Sequence, residues 1–272
     1  MTDATIRIRK PAVGGTFYSE SRTGLAGQLD EAWSQRQPLQ RPLPKALIVP
    51  HAGYFYSGAV AASAFALIQG AESIRRVVLL GPSHHFALDG FAIPDAAVWQ
   101  TPLGLVALAA RDLASLRERR DVMSSDRAHE REHSLEVEIP FLQRALPQRF
   151  ELVPVLVGAL PPPQVAGLID ELWGGDETLI VVSSDLSHYL DQDACADIDA
   201  QTCKKIKDLD PVDWRGAMAC GCHAVAGLLS TARRRHMRCE QLDRRTSAVA
   251  SGDTSRVVGY AAFGLWPQGV VS

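Results

Sequence analysis

His51, His84 and His188 each sit just beyond an apolar run that ends abruptly. The runs are Ala46-Leu47-Ile48-Val49-Pro50-His51, Val77-Val78-Leu79-Leu80-Gly81-Pro82-Ser83-His84-His85, and Leu179-Ile180-Val181-Val182-Ser183-Ser184-Asp185-Leu186-Ser187-His188. Imidazole is a good ligand for borderline transition metals and moves protons near neutral pH. Two such rings at neighbouring strand ends make His51 and His84 the expected metal ligands. His85 is expected to fix the turn through its ring nitrogens. Asp185 and His188 are spaced i, i+3 and would share one face of a helical turn. A carboxylate there would raise the imidazole pKa and select its tautomer, which suits general acid–base work. The competing assignment makes Ser184 or Asp185 a helix cap.

Two further groups carry chemistry. His133 follows a charged loop between Glu132 and Glu136 and is assigned to the same pocket as an acid–base residue. In Cys220-Gly221-Cys222-His223, one residue separates the cysteines, too few for the usual zinc pair. His223 is expected to line the pocket, with Cys222 beside it as a candidate ligand.

The apolar runs read as buried strands, and open α/β sheets collect ligands at strand ends. Helices are expected over residues 21–35, 58–68 (capped by Ser57), 109–117, from Ser134 onward with a kink at Pro140, from the Pro161-Pro162-Pro163 run to Trp173, 193–208 and 223–235. Residues 90–93 should form an edge strand because Pro94 closes it. Residues 124–133 read as a polar loop, and 256–265 as a closing central strand. Helices and strands alternate, with connections too short for crossover helices at some points. This predicts one α/β domain over residues 1–272, with a central mixed sheet and helices on both faces.

The totals describe an ordinary globular chain, with 46% hydrophobic and 22% charged residues and a formal net charge of −3. That balance points to no nucleic-acid or anionic-membrane partner. No run is long enough to span a bilayer. The start, Met1-Thr2-Asp3-Ala4, reads as cytoplasmic, and the five cysteines as reduced thiols.

Six motifs occur in one order: Pro50-His51-Ala52-Gly53-Tyr54, Gly81-Pro82-Ser83-His84-His85, Glu132-His133-Ser134, Pro154-Val155-Leu156-Val157-Gly158, Ser183-Ser184-Asp185 with His188, and Val258-Gly259-Tyr260-Ala261-Ala262. With them the chain resembles the Memo family, also called AmmeMemoRadiSam system protein B. The resemblance implies a fold related to the class III extradiol (LigB-like) dioxygenases. It also implies a pocket that binds iron or copper through two histidines and a cysteine. The histidines carry over to His51 and His84, and a pocket acid–base position to His188. The family cysteine falls on Ala250, which cannot bind metal. Asp253 and Cys222 are the candidate replacements; otherwise two histidines act alone.

Two functions follow as expectations. One is a non-haem iron or copper oxidoreductase, dioxygenase-like, acting on a small molecule or peptide. The other is a non-catalytic metal- or peptide-binding adaptor. The family name implies AMMECR-like and radical-SAM partners for it. Hydrolysis through Ser183 or Ser184 is a weaker third reading, because no Gly-x-Ser-x-Gly elbow is present.

Overall fold

In the computed structural model, residues 6–37 and 39–269 are described. The Met1-Thr2-Asp3-Ala4 start and Pro38 lie outside them.

In chain order the elements are β1 (Ile8–Arg9), α1 (Arg22–Gln35), β2 (Ala46–Val49), α2 (Tyr54–Phe65), β3 (Arg76–Pro82), β4 (Phe91–Ile93), β5 (Val98–Thr101), β6 (Gly104–Leu108), α3 (Ala110–Arg117), β7 (Val122–Ser124), α4 (Asp126–Glu130), α5 (Ile139–Ala145), β8 (Glu151–Val157), α6 (Pro162–Glu171), β9 (Thr178–Ser183), β10 (His188–Leu190), α7 (Gln192–Lys207), α8 (Cys222–Arg234), β11 (Met237–Thr246), α9 (Ala248–Ser251) and β12 (Val257–Pro267). The strands build one mixed sheet with the main order β1-β5-β6-β8-β3-β9-β2-β12-β10. Its centre, β6-β8-β3-β9-β2, is parallel. Every residue of β2 and β9 is buried, so both faces of the sheet are covered by other elements. Helix α2 packs on β2 and β12 with α1 and α5, while α8 packs on β3 and β9 with α6.

The expected α/β domain is therefore present, with local corrections. Helix α2 starts at Tyr54, three residues before the expected cap. Ser57 is buried inside it, and its hydroxyl donates to the Ala52 carbonyl. Pro140 does not kink a helix. A 3-10 turn over Glu136–Glu138 precedes it, and it occupies the first turn of α5, where its missing N–H costs nothing. β4 is no edge strand: it pairs with β7 and β8, because Pro94 falls just past its last residue. The polar loop contains α4, capped by Ser125. β11 is a long strand in a stretch whose charged residues hide any alternation.

No helix among the described residues is long and apolar enough to cross a membrane.

Candidate metal centre

The parallel strands β2, β3 and β9 end side by side and release His51, His84 and Asp185 at one end of the sheet. Two close approaches complete the site. Gly81, next to last in β3, runs against the Ser134 segment, where a Cβ would stand 2.8 Å from Leu135 Cδ2 and 3.1 Å from Ser134 Oγ. Gly221 passes the end of β9 with room for no side chain: a Cβ would lie 2.8 Å from the Ser183 carbonyl oxygen. The first approach brings in Glu132 and His133. The second brings in Cys220.

Donor atoms of His51, His84 and Cys220 all lie within 4.8 Å of one another. Cys220 Sγ is 3.2 Å from His51 Nε2. The other nitrogen of His51, Nδ1, is 2.7 Å from Ser183 Oγ. His84 Nδ1 is held by Glu132 Oε1 at 2.9 Å. Glu132 also accepts from the backbone N–H groups of His84, His133 and Ser134. Its burial opposes ionisation, but the His84 hydrogen bond and charge and these amides hold it well below the usual carboxylate range. Both histidines thus have Nδ1 engaged and Nε2 free to bind, which is how outer partners orient metal-binding imidazoles.

Burial, then the neighbouring rings of His133 and His84, push His51 far below the ordinary histidine pKa. His133 stacks on His84 at 4.7 Å and 17° and is pushed down to about 4, chiefly by burial. Burial also pushes the Cys220 thiol up, with a smaller push from Asp185. Both shifts favour the uncharged forms, a thiol beside a neutral imidazole.

The expected third donors are corrected. Neither Asp253 nor Cys222 joins the donor group. Asp253 sits in an exposed loop, where its carboxylate accepts from Ser255. Cys222 is the first residue of α8 and buried. Its neighbour two positions earlier, outside the helix, reaches the site instead. Ala250 lines a different depression, beside Phe55 and Val249.

The Asp185–His188 pair is also corrected. Residues 185–188 form no helical turn, and His188 opens β10 opposite Val258. Asp185 instead accepts from the His51 amide at 2.8 Å, and burial raises its carboxyl to about 7. His188 donates Nδ1–H to the Leu186 carbonyl at 2.8 Å, leaving Nε2 as an acceptor. Burial lowers its pKa. His223 is turned away: its Nδ1 meets the Leu160 carbonyl at 2.9 Å, and it is absent from the cavity wall. Adjacent residues on a helix start point in different directions. His85 is exposed, with its ring 6.0 Å from that of His133. Glu136 belongs to another network, bonded to Arg9, Tyr18 and the amides of Ala12 and Val13.

A cavity of about 670 Å³ opens over the donors. His51, His84, His133, Asp185, His188 and Cys220 supply its polar wall, and Phe17, Tyr189, Leu190, Ile198, Val258 and Tyr260 most of its apolar wall. A groove of about 780 Å³ elsewhere, lined by Leu103, Leu105 and Phe150, holds no such donor cluster. Ser183 is fully buried behind His51 and not in the cavity wall, which removes it as a nucleophile. All five cysteines are free.

An α/β sheet with a histidine–cysteine cluster at its parallel strand ends describes a class of protein, and comparison with known proteins narrows it. The family model described as "Memo-like protein" matches residues 9–264. A MEMO1 family protein of Sulfolobus acidocaldarius is 34% identical, over 93% of this chain and 97% of the relative. One from Aquifex aeolicus is 31% identical, over 94% and 98%. One from Methanosarcina barkeri is 32% identical, over 94% and 99%. The chain belongs to the Memo family.

Proposed function

We propose that this protein binds a transition metal, iron or copper, through His51 Nε2, His84 Nε2 and the Cys220 thiolate. It then uses the metal in oxidative chemistry on a small substrate held in the cavity. The observation carrying this reading is the convergence of the three donor atoms within 4.8 Å. It gains weight from the anchoring of both Nδ1 atoms by Ser183 and Glu132. Two imidazoles and one thiolate suit iron, copper or zinc, and not magnesium or calcium.

A bound iron or copper would supply Lewis acidity and one-electron chemistry. The chain's own residues do the rest. Phe17, Tyr189, Ile198 and Tyr260 provide an apolar wall for an aromatic or aliphatic substrate and exclude water. Nε2 of His188, unprotonated because Nδ1–H is spent on Leu186, takes a proton from a substrate hydroxyl. Glu132 keeps His84 in one tautomer. Localisation in the cytoplasm and the relation to extradiol dioxygenases belong to this proposal.

The adaptor reading is favoured by one observation. Phe55 is 69% and Tyr56 44% exposed, and with Val249 they border a depression separate from the metal pocket. AMMECR-like or radical-SAM partners would be its natural associates.

Oxygen uptake by iron- and copper-loaded protein with a panel of catechols and simple phenols separates the two. Turnover that disappears in H51A and falls at least tenfold in H188Q supports the enzyme. Metal bound without uptake from any substrate favours the adaptor.

A further inference from the structure

Behind His51, on the side away from the cavity, the protons can be counted. Ser183 Oγ has three polar neighbours: the Ser134 carbonyl oxygen at 2.6 Å, Glu138 Oε1 at 2.8 Å and His51 Nδ1 at 2.7 Å. All four residues are buried; Ser134, Glu138 and Ser183 are 0% exposed. Two oxygens this close attract only if a proton lies between them. The hydroxyl has one proton, and the Ser134 carbonyl has none to give. Two oxygen–oxygen contacts therefore need a second proton, and only the Glu138 carboxyl can supply it.

The geometry points to Glu138 as a permanently neutral carboxylic acid that donates to Ser183 and, through it, positions His51 for its role in the cavity. The Ser183 proton then goes to the Ser134 carbonyl. Its two lone pairs accept Glu138 Oε1–H and His51 Nδ1–H, so every valence of the hydroxyl is used. His51 is fixed with Nδ1 protonated and Nε2 as a lone pair toward Cys220.

A second observation agrees. Glu138 Oε2 is buried and has no hydrogen-bond partner. The carbonyl oxygen of a neutral acid tolerates that state far better than half of a carboxylate charge does. Burial pushes the Glu138 carboxyl well above its ordinary range, against the pull of the Ser183 hydrogen bond and with a push from Asp185.

Neutrality matters for the site. In serine-protease triads a buried carboxylate faces the imidazole and stabilises its cation. A carboxylate at Glu138 would likewise favour imidazolium at His51, which cannot ligate a metal. A neutral acid leaves the ring neutral and its Nε2 available. Glu138 is thus a positioning residue, acting one hydroxyl removed from the donor group. The argument holds with or without metal, so it stands independently of the proposed function.

The test uses the full chain stripped of metal. At a pD of about 9, where Asp185 is ionised, infrared spectra should contain a protonated-carboxyl C=O band that vanishes in E138Q. Nitrogen-15 spectra of labelled histidine should show His51 with a protonated Nδ1 and a pyridine-type Nε2. E138Q, whose amide can also donate to Ser183, should keep that pattern. E138M has no donor and should broaden or split the His51 signals; if it does not fold, E138Q decides alone. Spectra in which E138Q removes no protonated-carboxyl band, or in which it shifts His51 to another tautomer, would overturn the assignment.

Discussion

Cys220 Sγ stands 3.2 Å from His51 Nε2, although 169 residues separate the two in the chain. Burial raises the thiol and lowers the imidazole, which favours the neutral thiol–imidazole pair without metal. On the proposed metal reading the pair points to Cys220, rather than Cys222 or Asp253, as the third donor. C220A should weaken iron or copper binding by more than the roughly 10–100-fold that outer partners are worth. C222A and D253N should leave it within about twofold. Competitive titration against a chelator of known affinity measures all three, and equal losses in C220A and C222A would refute the assignment.

Metal uptake should also release a proton. The thiol must ionise to bind, and its pKa is raised, so the apparent affinity falls about tenfold for each unit of pH lost across the neutral range. Titration in buffers of different ionisation enthalpy counts the protons. About one released per metal is expected; none would mean that sulfur is not a ligand.

In the sequence Glu132 stands only as the charged neighbour of His133, without a defined task. Its carboxylate gathers His84 Nδ1 and three backbone amides at one point. E132Q should lower metal affinity about 10–100-fold while the protein stays folded. Circular dichroism alongside the titration separates this effect from unfolding. An unchanged affinity would show that His84 needs no anchor.

Much of this was legible in the chain. Apolar runs ending in Pro50, Pro82 and Ser184 located three strand ends correctly, because buried parallel strands leave an unbroken hydrophobic signature. What failed was local. Asp185 and His188 looked helical by spacing, yet His188 is tied into β10 by pairing with β12, a contact no local pattern contains. Cys220 is hidden in the sequence because Cys220-Gly221-Cys222 reads as a zinc pair spaced too closely to work. The signal was Gly221 itself, a residue without a side chain where the loop must pass the end of β9. Glu138 leaves no signal in the sequence, since a glutamate two residues before Pro140 reads as surface until the turn buries it.

Away from the site, Glu136 pins the N-terminal segment to the core. It receives Arg9, the Tyr18 hydroxyl and two amides, and the Arg9 side chain is 8% exposed. E136A leaves the buried Arg9 guanidinium with only the His129 and Glu132 carbonyls and no carboxylate, and should cost about 3–5 kcal/mol in urea unfolding. A loss under about 1 kcal/mol would contradict this role.

His129 is buried and its pKa is lowered to about 3, first by burial and then by the Arg9 charge. Between about pH 3 and 6.5 the unfolded chain therefore binds a proton that the folded chain refuses. This contribution to stability is complete above 6.5 and declines as pH falls, by up to about 1.4 kcal/mol per unit. The raised carboxyls of Asp185 and Glu138 act in the opposite sense but cancel in a comparison of variants. H129Q should be less stable than the parent at pH 7, with the gap narrowing toward pH 5. A constant gap would show that folding leaves the His129 pKa unchanged.

The most direct test of the metal centre is elemental analysis of tag-free protein purified without oxygen, comparing the parent chain with H51A, H84A, C220A and C222A. Near-stoichiometric iron or copper in the parent and C222A proteins, lost from the other three, is the predicted result. No metal above background in the parent after reconstitution, or full occupancy in C220A, would contradict it.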